Sequence, residues 1–174
     1  GKHNLWDQSL RVPFILRLPS SLKVATTSGD VVQNRRGEAT GGAEPTAEST
    51  VSGLTEHIDI YPTLCELCGL EKPEHLEGES LVHLLSSPDA PGKNAVLAHR
   101  KHMWHDRIKA YSIAHSLRTK RYRYTEYRDP HGKPLYRELF DYDIDPDERR
   151  NHVDEKEYRT TVEELRELLA STVH

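Results

Sequence analysis

The sequence predicts an α/β chain in two parts, a strand-then-helix unit in the first half and a small four-stranded antiparallel sheet closed by a helix in the second. Three observations predict it. Residues 12–18, Val-Pro-Phe-Ile-Leu-Arg-Leu, form a nearly continuous apolar run. Between Ala95 and Phe140, short segments with strand character alternate with turn signals. The C-terminal residues repeat apolar side chains at helical spacing.

The run at 12–18 reads as a strand buried on both faces, as in a parallel sheet covered by helices. Its shortness and the β-branched Val12 and Ile15 argue against a helix. From Ser20 to Gly53 the apolar signal falls away, and Gly, Ser, Thr and Glu dominate. This stretch is expected to be a long mobile loop with a short hairpin around Val31 and Val32. A helix is expected from Asp59 to Leu67, capped by the Asp59 carboxylate, with Pro62 tolerated in its first turn and Gly69 ending it. Ile60, Leu64 and Leu67 would form its apolar face. Turn signals and a short apolar stretch, Leu81 to Leu85, occupy 71–92.

Strands follow at Ala95–Ala98, Tyr111–Leu117, Arg121–Tyr127 and Leu135–Phe140. The third alternates basic and aromatic residues, as a half-buried strand does. Asp129-Pro130-His131-Gly132 is the turn between the third and fourth. Asp154 and Glu157 stand at capping-box spacing before a final helix, whose stripe is Tyr158, Val162, Leu165 and Leu169. The expected division is 1–92, the end of a larger α/β domain with the loop at 20–53, and 93–174, the antiparallel subdomain.

Charged residues make up 30% of the 174 and hydrophobic ones 35%, so a modest core under a heavily charged surface is expected. A net charge of −4 offers no field for nucleic acid. No apolar run approaches the length that spans a bilayer. Gly1 opens the chain without an initiator Met or a signal peptide, and an upstream segment of the same protein is expected.

Cys65 and Cys68 do not make a disulfide framework, and zinc would need further ligands, so both are read as small buried hydrophobes in the helix. Arg118, Lys120, Arg121 and Arg123 lie among Tyr122, Tyr124 and Tyr127, a pattern superficially like a single-strand nucleic-acid surface. The acidic residues nearby make ion pairing across strands the better account. Asp141, Asp143 and Asp145 have the spacing of a calcium loop, but Pro146 interrupts it and the following Gly is missing, so a turn is expected.

Three stretches carry a family resemblance. The first is Gly1-Lys2-His3 with Leu10-Arg11-Val12-Pro13-Phe14-Ile15. The second is Glu56-His57-Ile58-Asp59-Ile60-Tyr61-Pro62-Thr63-Leu64-Cys65-Glu66-Leu67-Cys68-Gly69. The third runs from Tyr111-Ser112-Ile113 through Leu117-Arg118-Thr119 and Arg121-Tyr122-Arg123-Tyr124-Thr125-Glu126 to Glu138-Leu139-Phe140-Asp141 and Asp145-Pro146-Asp147-Glu148. In this order they resemble the C-terminal part of sulfatases, the iduronate-2-sulfatase-like branch in particular.

That resemblance implies an alkaline-phosphatase-like α/β fold and sulfate-ester hydrolysis of a sulfated carbohydrate, in a periplasmic or secreted protein. It implies calcium and a formylglycine nucleophile, both held by residues upstream of this chain, which alone would be inactive. Lys2 matches the lysine that contacts sulfate oxygens, where an ammonium offsets charge developing on the leaving oxygen. His3 would reach substrate. The run His99, Arg100, Lys101, His102, Trp104 and His105 is read either as a pocket wall for an anionic sugar, with His99 and Arg100 binding substrate, or as a solvated loop after a strand. A phosphodiesterase or phosphonate hydrolase of the same superfamily, or a non-catalytic structural or binding fragment, are the alternatives.

Overall fold

The computed structural model describes residues 5–18, 24–25, 31–32, 50–87, 89–105 and 110–173. Two compact units are present. One combines Gly1–Pro13 with Ala95–His174, and the other is Phe14–Asn94.

In chain order the helices are α1 (Asp7–Leu10), α2 (Ile60–Leu67), α3 (Val82–Ser86) and α4 (Arg159–Thr172). The strands are β1 (Val24–Ala25), β2 (Val31–Val32), β3 (Ala95–His105), β4 (Ala110–Thr119), β5 (Tyr122–Arg128) and β6 (Pro134–Asp141). β1 and β2 pair antiparallel, in keeping with the hairpin expected around Val31 and Val32. The remainder of the loop expected at 20–53, up to Ser49, lies outside the described residues, and so does its expected mobility.

The first unit is an antiparallel meander in the order β3-β4-β5-β6. Sequential strands joined by short turns pair with their neighbours, so local connections alone set this order. Leu97, Leu117, Tyr124 and Leu139 stand opposite one another across the four strands. They form one layer of a core that α4 closes with Val162, Leu165 and Leu169, all buried. The spacing of those three puts them on one side of the helix, as the sequence predicts. Each fully buried aliphatic side chain there is worth about 1.5–3 kcal/mol.

The capping box at Asp154 does not form. A 3-10 turn, Lys156–Tyr158, leads into α4 without a side-chain cap. In the turn between β5 and β6, the Asp129 carboxylate accepts from the amides of His131 (2.8 Å) and Lys133 (2.9 Å), the Asx geometry expected there.

β5 is not half-buried. Residues 123–127 are buried throughout, because α4 covers one face while Leu5 and Leu10 pack with Ala98, Ala114, Tyr127 and Tyr136 on the other. The basic run of residues 99–105 lies within β3 rather than in a loop after it. A register shift between Arg100 and Met103 marks a bulge there.

Residues 11–18 form no strand, against expectation. Val12 is 49%, Phe14 47% and Ile15 89% exposed. No strand among the described residues pairs with the segment, so no ladder neighbour covers its side chains.

In the second unit a 3-10 turn, His57–Asp59, runs into α2. Asp59 does not cap α2. Its carboxylate instead accepts from the backbone amides of Glu56 (2.8 Å) and Glu79 (2.9 Å). The buried face of α2 is Pro62, Thr63 and Cys65, whereas Leu64 is exposed. The polar Asp59–Thr63 pair organises this unit, so its inward face follows hydrogen bonds rather than hydropathy. The Thr63 hydroxyl donates to the Asp59 carbonyl at 2.5 Å and accepts from the Leu81 amide at 2.9 Å. Gly69, at φ +66°, ends the helix in the left-handed conformation that glycine adopts without strain. Gly78 is required by contact, since a Cβ there would stand 2.1 Å from the Ile58 carbonyl oxygen.

Candidate functional site

Lys2 and His3 lie outside the described residues, and the first described residue after them is Leu5. That residue and Asp7 are held by Arg123 of β5, whose guanidinium is 2% exposed. Its Nη1 donates to the Leu5 carbonyl at 2.8 Å, and its Nη2 to the Asp7 carboxylate at 3.1 Å. Its Nε donates to Glu148 Oε1 at 2.6 Å and the Tyr142 hydroxyl at 2.8 Å. The other Glu148 oxygen accepts from the Asp7 amide at 2.9 Å. Glu148 also accepts from the Tyr142 hydroxyl, and Arg118 lies over the Tyr142 ring at 3.6 Å.

Glu148 has φ +55°, the left-handed region that a glutamate rarely adopts. The bonds around its carboxylate hold it there. A buried guanidinium with two carboxylates nearby is stable only when nearly every donor finds an acceptor, and this one does. Sequence reading missed the constellation because its members come from positions 7, 123 and 148. The one available signal was Arg123 itself, a cation alternating with Tyr122 and Tyr124 and so aimed at the other face.

His99 and Arg100 occupy successive positions on β3 and so fall on opposite faces of the sheet. His99 is exposed and stands across from His115 on β4, their rings stacked with centroids 6.2 Å apart. Beyond His115, Glu126 of β5 and Arg137 of β6 continue the same row. Glu126 is taken up by Arg128, at 2.8 Å from its Nε, and by the Tyr124 hydroxyl at 2.6 Å. Burial, then Arg128, then His99 push the His115 imidazole below its ordinary pKa, against a smaller upward pull from Glu126. Its Nδ1 is buried with no hydrogen-bond partner. A metal-binding histidine almost always anchors its second nitrogen, so this pair is ill suited to a metal.

Among the described residues no group of three or more His, Cys, Asp or Glu side chains could hold a metal ion, and the residues present do not fit calcium. The Asp141 segment is a turn, as expected. Asp141 is fully buried and accepts from Arg121 Nε (2.9 Å), Arg121 Nη2 (2.7 Å), the Tyr158 hydroxyl (3.0 Å) and the Asp143 amide (3.1 Å). Arg121 holds the Asp141 carboxyl below its ordinary range, against the opposing effect of burial. Pairing across strands, the expected account of the arginines of β5 and its flanks, holds among the described residues only for Arg121 with Asp141 of β6; Arg123 pairs with Asp7 of α1 and Glu148 of a loop, and Arg128 with Glu126 of its own strand. Cys65 is buried and Cys68 exposed, so only the first is a core residue. Among the described residues no helix is long and apolar enough to cross a membrane.

The sheet and its helix define the class. Solved structures superpose on this chain as the C-terminal part of alkaline-phosphatase-like sulfatases. One is a 2-O GAG sulfatase, with TM-score 0.52 and 28% identity over 66% of this chain and 24% of that one. Another was solved with its substrate D-glucosamine-2-N,6-O-disulfate, with TM-score 0.60 and 24% identity over 71% of this chain and 25% of that one. The phosphonate monoester hydrolase of Agrobacterium radiobacter shares the fold at TM-score 0.54, with 24% identity over 70% of this chain and 25% of that one. Fold alone therefore does not separate the two chemistries.

Residues 43–174 match the family described as N-sulphoglucosamine sulphohydrolase, C-terminal, and the chain belongs to that sulfatase family. Mouse (Mus musculus) arylsulfatase K is 34% identical over 109 residues, 60% of this chain and 19% of that protein. The Delta 4,5-hexuronate-2-O-sulfatase of Bacteroides thetaiotaomicron is 31% identical over 113 residues, 64% of this chain and 22% of that protein. An ulvan-active sulfatase of Formosa agariphila is 26% identical over 164 residues, 94% of this chain and 27% of that protein. The chain thus spans between about a fifth and a quarter of these relatives.

Proposed function

We propose that this chain is the C-terminal portion of an enzyme that hydrolyses sulfate esters of a sulfated carbohydrate. The family match over residues 43–174 carries the reading. Relatives whose names specify hexuronate and ulvan substrates support the carbohydrate class.

Within that enzyme, Lys2 places an ammonium against the sulfate group and offsets charge growing on the departing oxygen. His3 serves substrate binding with one of the two β3 residues, because His99 and Arg100 lie on opposite faces of the strand and cannot line one pocket together. Calcium and formylglycine belong to segments other than the described residues. The exposed apolar side chains Phe14, Ile15, Ile58, Tyr61 and Leu64 supply surface for the remainder of the enzyme to cover.

The test is sulfate release by the intact protein from sulfated oligosaccharides, alongside the isolated chain. Turnover by the intact protein and none by the chain is expected. Replacing Lys2 by Ala in the intact protein should lower kcat/KM by roughly a hundredfold or more, the scale of a lost charge-stabilising donor. A wild-type rate in that variant removes Lys2 from the site.

A further inference from the structure

We propose that His99, His115 and Arg137, in one row across the sheet beside the layer that α4 covers, bind the carboxylate or sulfate group of an acidic carbohydrate. The carbohydrate rests on the functional reading given above. The capture of an oxyanion rests on the row itself.

Strand register places the row. His99 on β3, His115 on β4, Glu126 on β5 and Arg137 on β6 stand opposite one another. Each lies two residues along its strand from Leu97, Leu117, Tyr124 or Leu139, so all four share the face of that core layer. The layer is closed by α4, with Leu117, Tyr124 and Leu139 fully buried. One step further along, His99 is exposed and His115 and Arg137 are half-buried. Three gaps between strands make the row roughly 14 Å wide. Arg100 instead falls in line with Ala114 and Tyr127 on the other face, so of the two β3 candidates only His99 belongs to this surface.

The charges in the row are uneven. Glu126 is its one acid and is 2% exposed. That carboxylate is already satisfied, by Arg128 Nε at 2.8 Å and the Tyr124 hydroxyl at 2.6 Å. Arg137 stands close enough to the same hydroxyl to act on its pKa. Among the described residues neither His99 nor Arg137 is paired with a carboxylate. After burial, Arg128 and then His99 lower the His115 pKa and outweigh Glu126, as a positive field at the middle of the row does. A guanidinium matches a carboxylate or sulfate with two parallel donors, and an imidazole N–H donates in either charge state. The rings of His99 and His115, stacked at 6.2 Å, add a flat surface beside those donors that suits a sugar carrying the anion.

The experiment is a hydrogen-exchange titration of the intact protein with three probes: inorganic sulfate, a sulfated uronate disaccharide and its desulfated form. Exchange is followed at residues 97–100, 113–117 and 135–138. Slower exchange in all three segments is expected with the sulfated disaccharide. In His99→Gln and in Arg137→Gln, the concentration giving half of that slowing should rise roughly tenfold or more, the scale of one lost charge-assisted bond. Thermal midpoints should stay unchanged, which separates lost binding from lost folding. Arg137→Lys keeps the charge and should retain part of the affinity. Arg149→Gln removes an exposed charge outside the row and should leave the titration as it is. Slowing by sulfate and the sulfated sugar alone assigns the row to sulfate, and slowing by both sugars assigns it to carboxylate. No slowing with any probe, or slowing that survives both glutamine substitutions, overturns the proposal. An intact protein that releases no sulfate from any ester would overturn the functional reading while leaving these titrations standing, so the two failures are distinguishable.

Discussion

At the scale of single residues, the ionisable groups of the sheet predict how stability depends on acidity. His115 has a lowered pKa in the fold, so the unfolded chain takes up its proton first. Its contribution is intact above its ordinary value of 6.5 and is lost as the pH falls from there through the folded value. His99, Arg128 and Glu126 are the charged or titratable neighbours acting on it. A His115→Gln variant should lose less stability than the parent between about pH 6.5 and pH 5 in urea titrations; parallel curves would show that His115 is not the group responsible. Asp141 works in the acid limb. Arg121 depresses its pKa below the ordinary 3.8, so its contribution is present above that value and is lost as the pH falls through the folded one. Asp141→Asn should flatten that limb. Replacing Arg123 by Met strands Glu148 and Asp7, and should cost about 3–5 kcal/mol in denaturant unfolding. Of these groups, the sequence shows that Arg121 and Arg123 have acids available to them. It cannot show which acid, because pairing depends on where loops return after sheet formation.

At the scale of elements, α4 is the part most fully legible beforehand. A period near 3.6 in Val162, Leu165 and Leu169 has one physical outcome when a sheet face is free to receive it. Leu165→Ala and Leu169→Ala should each destabilise the chain by about 2–5 kcal/mol in urea denaturation. Leu168→Ala, at a 38% exposed position, should change stability by no more than about 0.5 kcal/mol. The last three strands were nearly as readable, helped by the Asp129 turn, but β3 runs on to His105, past the Ala98 at which its apolar signal ends. α2 is the counter-example. Its hydropathy pointed Leu64 inward, yet Leu64 faces out, because Thr63 is drawn in by the Asp59 carbonyl and the Leu81 amide. Nearby, Lys93 donates to Asp59 and Glu56 at 2.7 Å each. Burial lowers the Lys93 pKa, but the bonds to Asp59 and Glu56 outweigh it and leave the value raised. Gly78→Ala should destabilise this second unit through the clash at the Ile58 carbonyl, seen as a lowered thermal midpoint with α4 signals intact. An unchanged midpoint would mean that the loop yields freely.

At the scale of the whole molecule, the exposed apolar residues of 12–18 and of α2 predict self-association of the isolated chain. Replacing Phe14 and Ile15 by Ser should lower light scattering at fixed concentration, leaving the far-ultraviolet signal of the sheet unchanged. Scattering that persists would place the sticky surface elsewhere. The segment reads in sequence as a buried strand, and its composition is that of one. Burial, however, is a relation between segments, and no described strand stands beside it.

The amino-acid order determined by itself the meander, the terminal helix and the family to which they belong, because those depend on periodicities and turns within a few residues of one another. Only the tertiary structure decided that Arg123 meets Leu5, Asp7 and Glu148, that α2 turns its threonine inward, and that 12–18 stays uncovered. Those outcomes rest on contacts between distant positions, where hydrogen-bond geometry and the presence of a partner surface outweigh local preference.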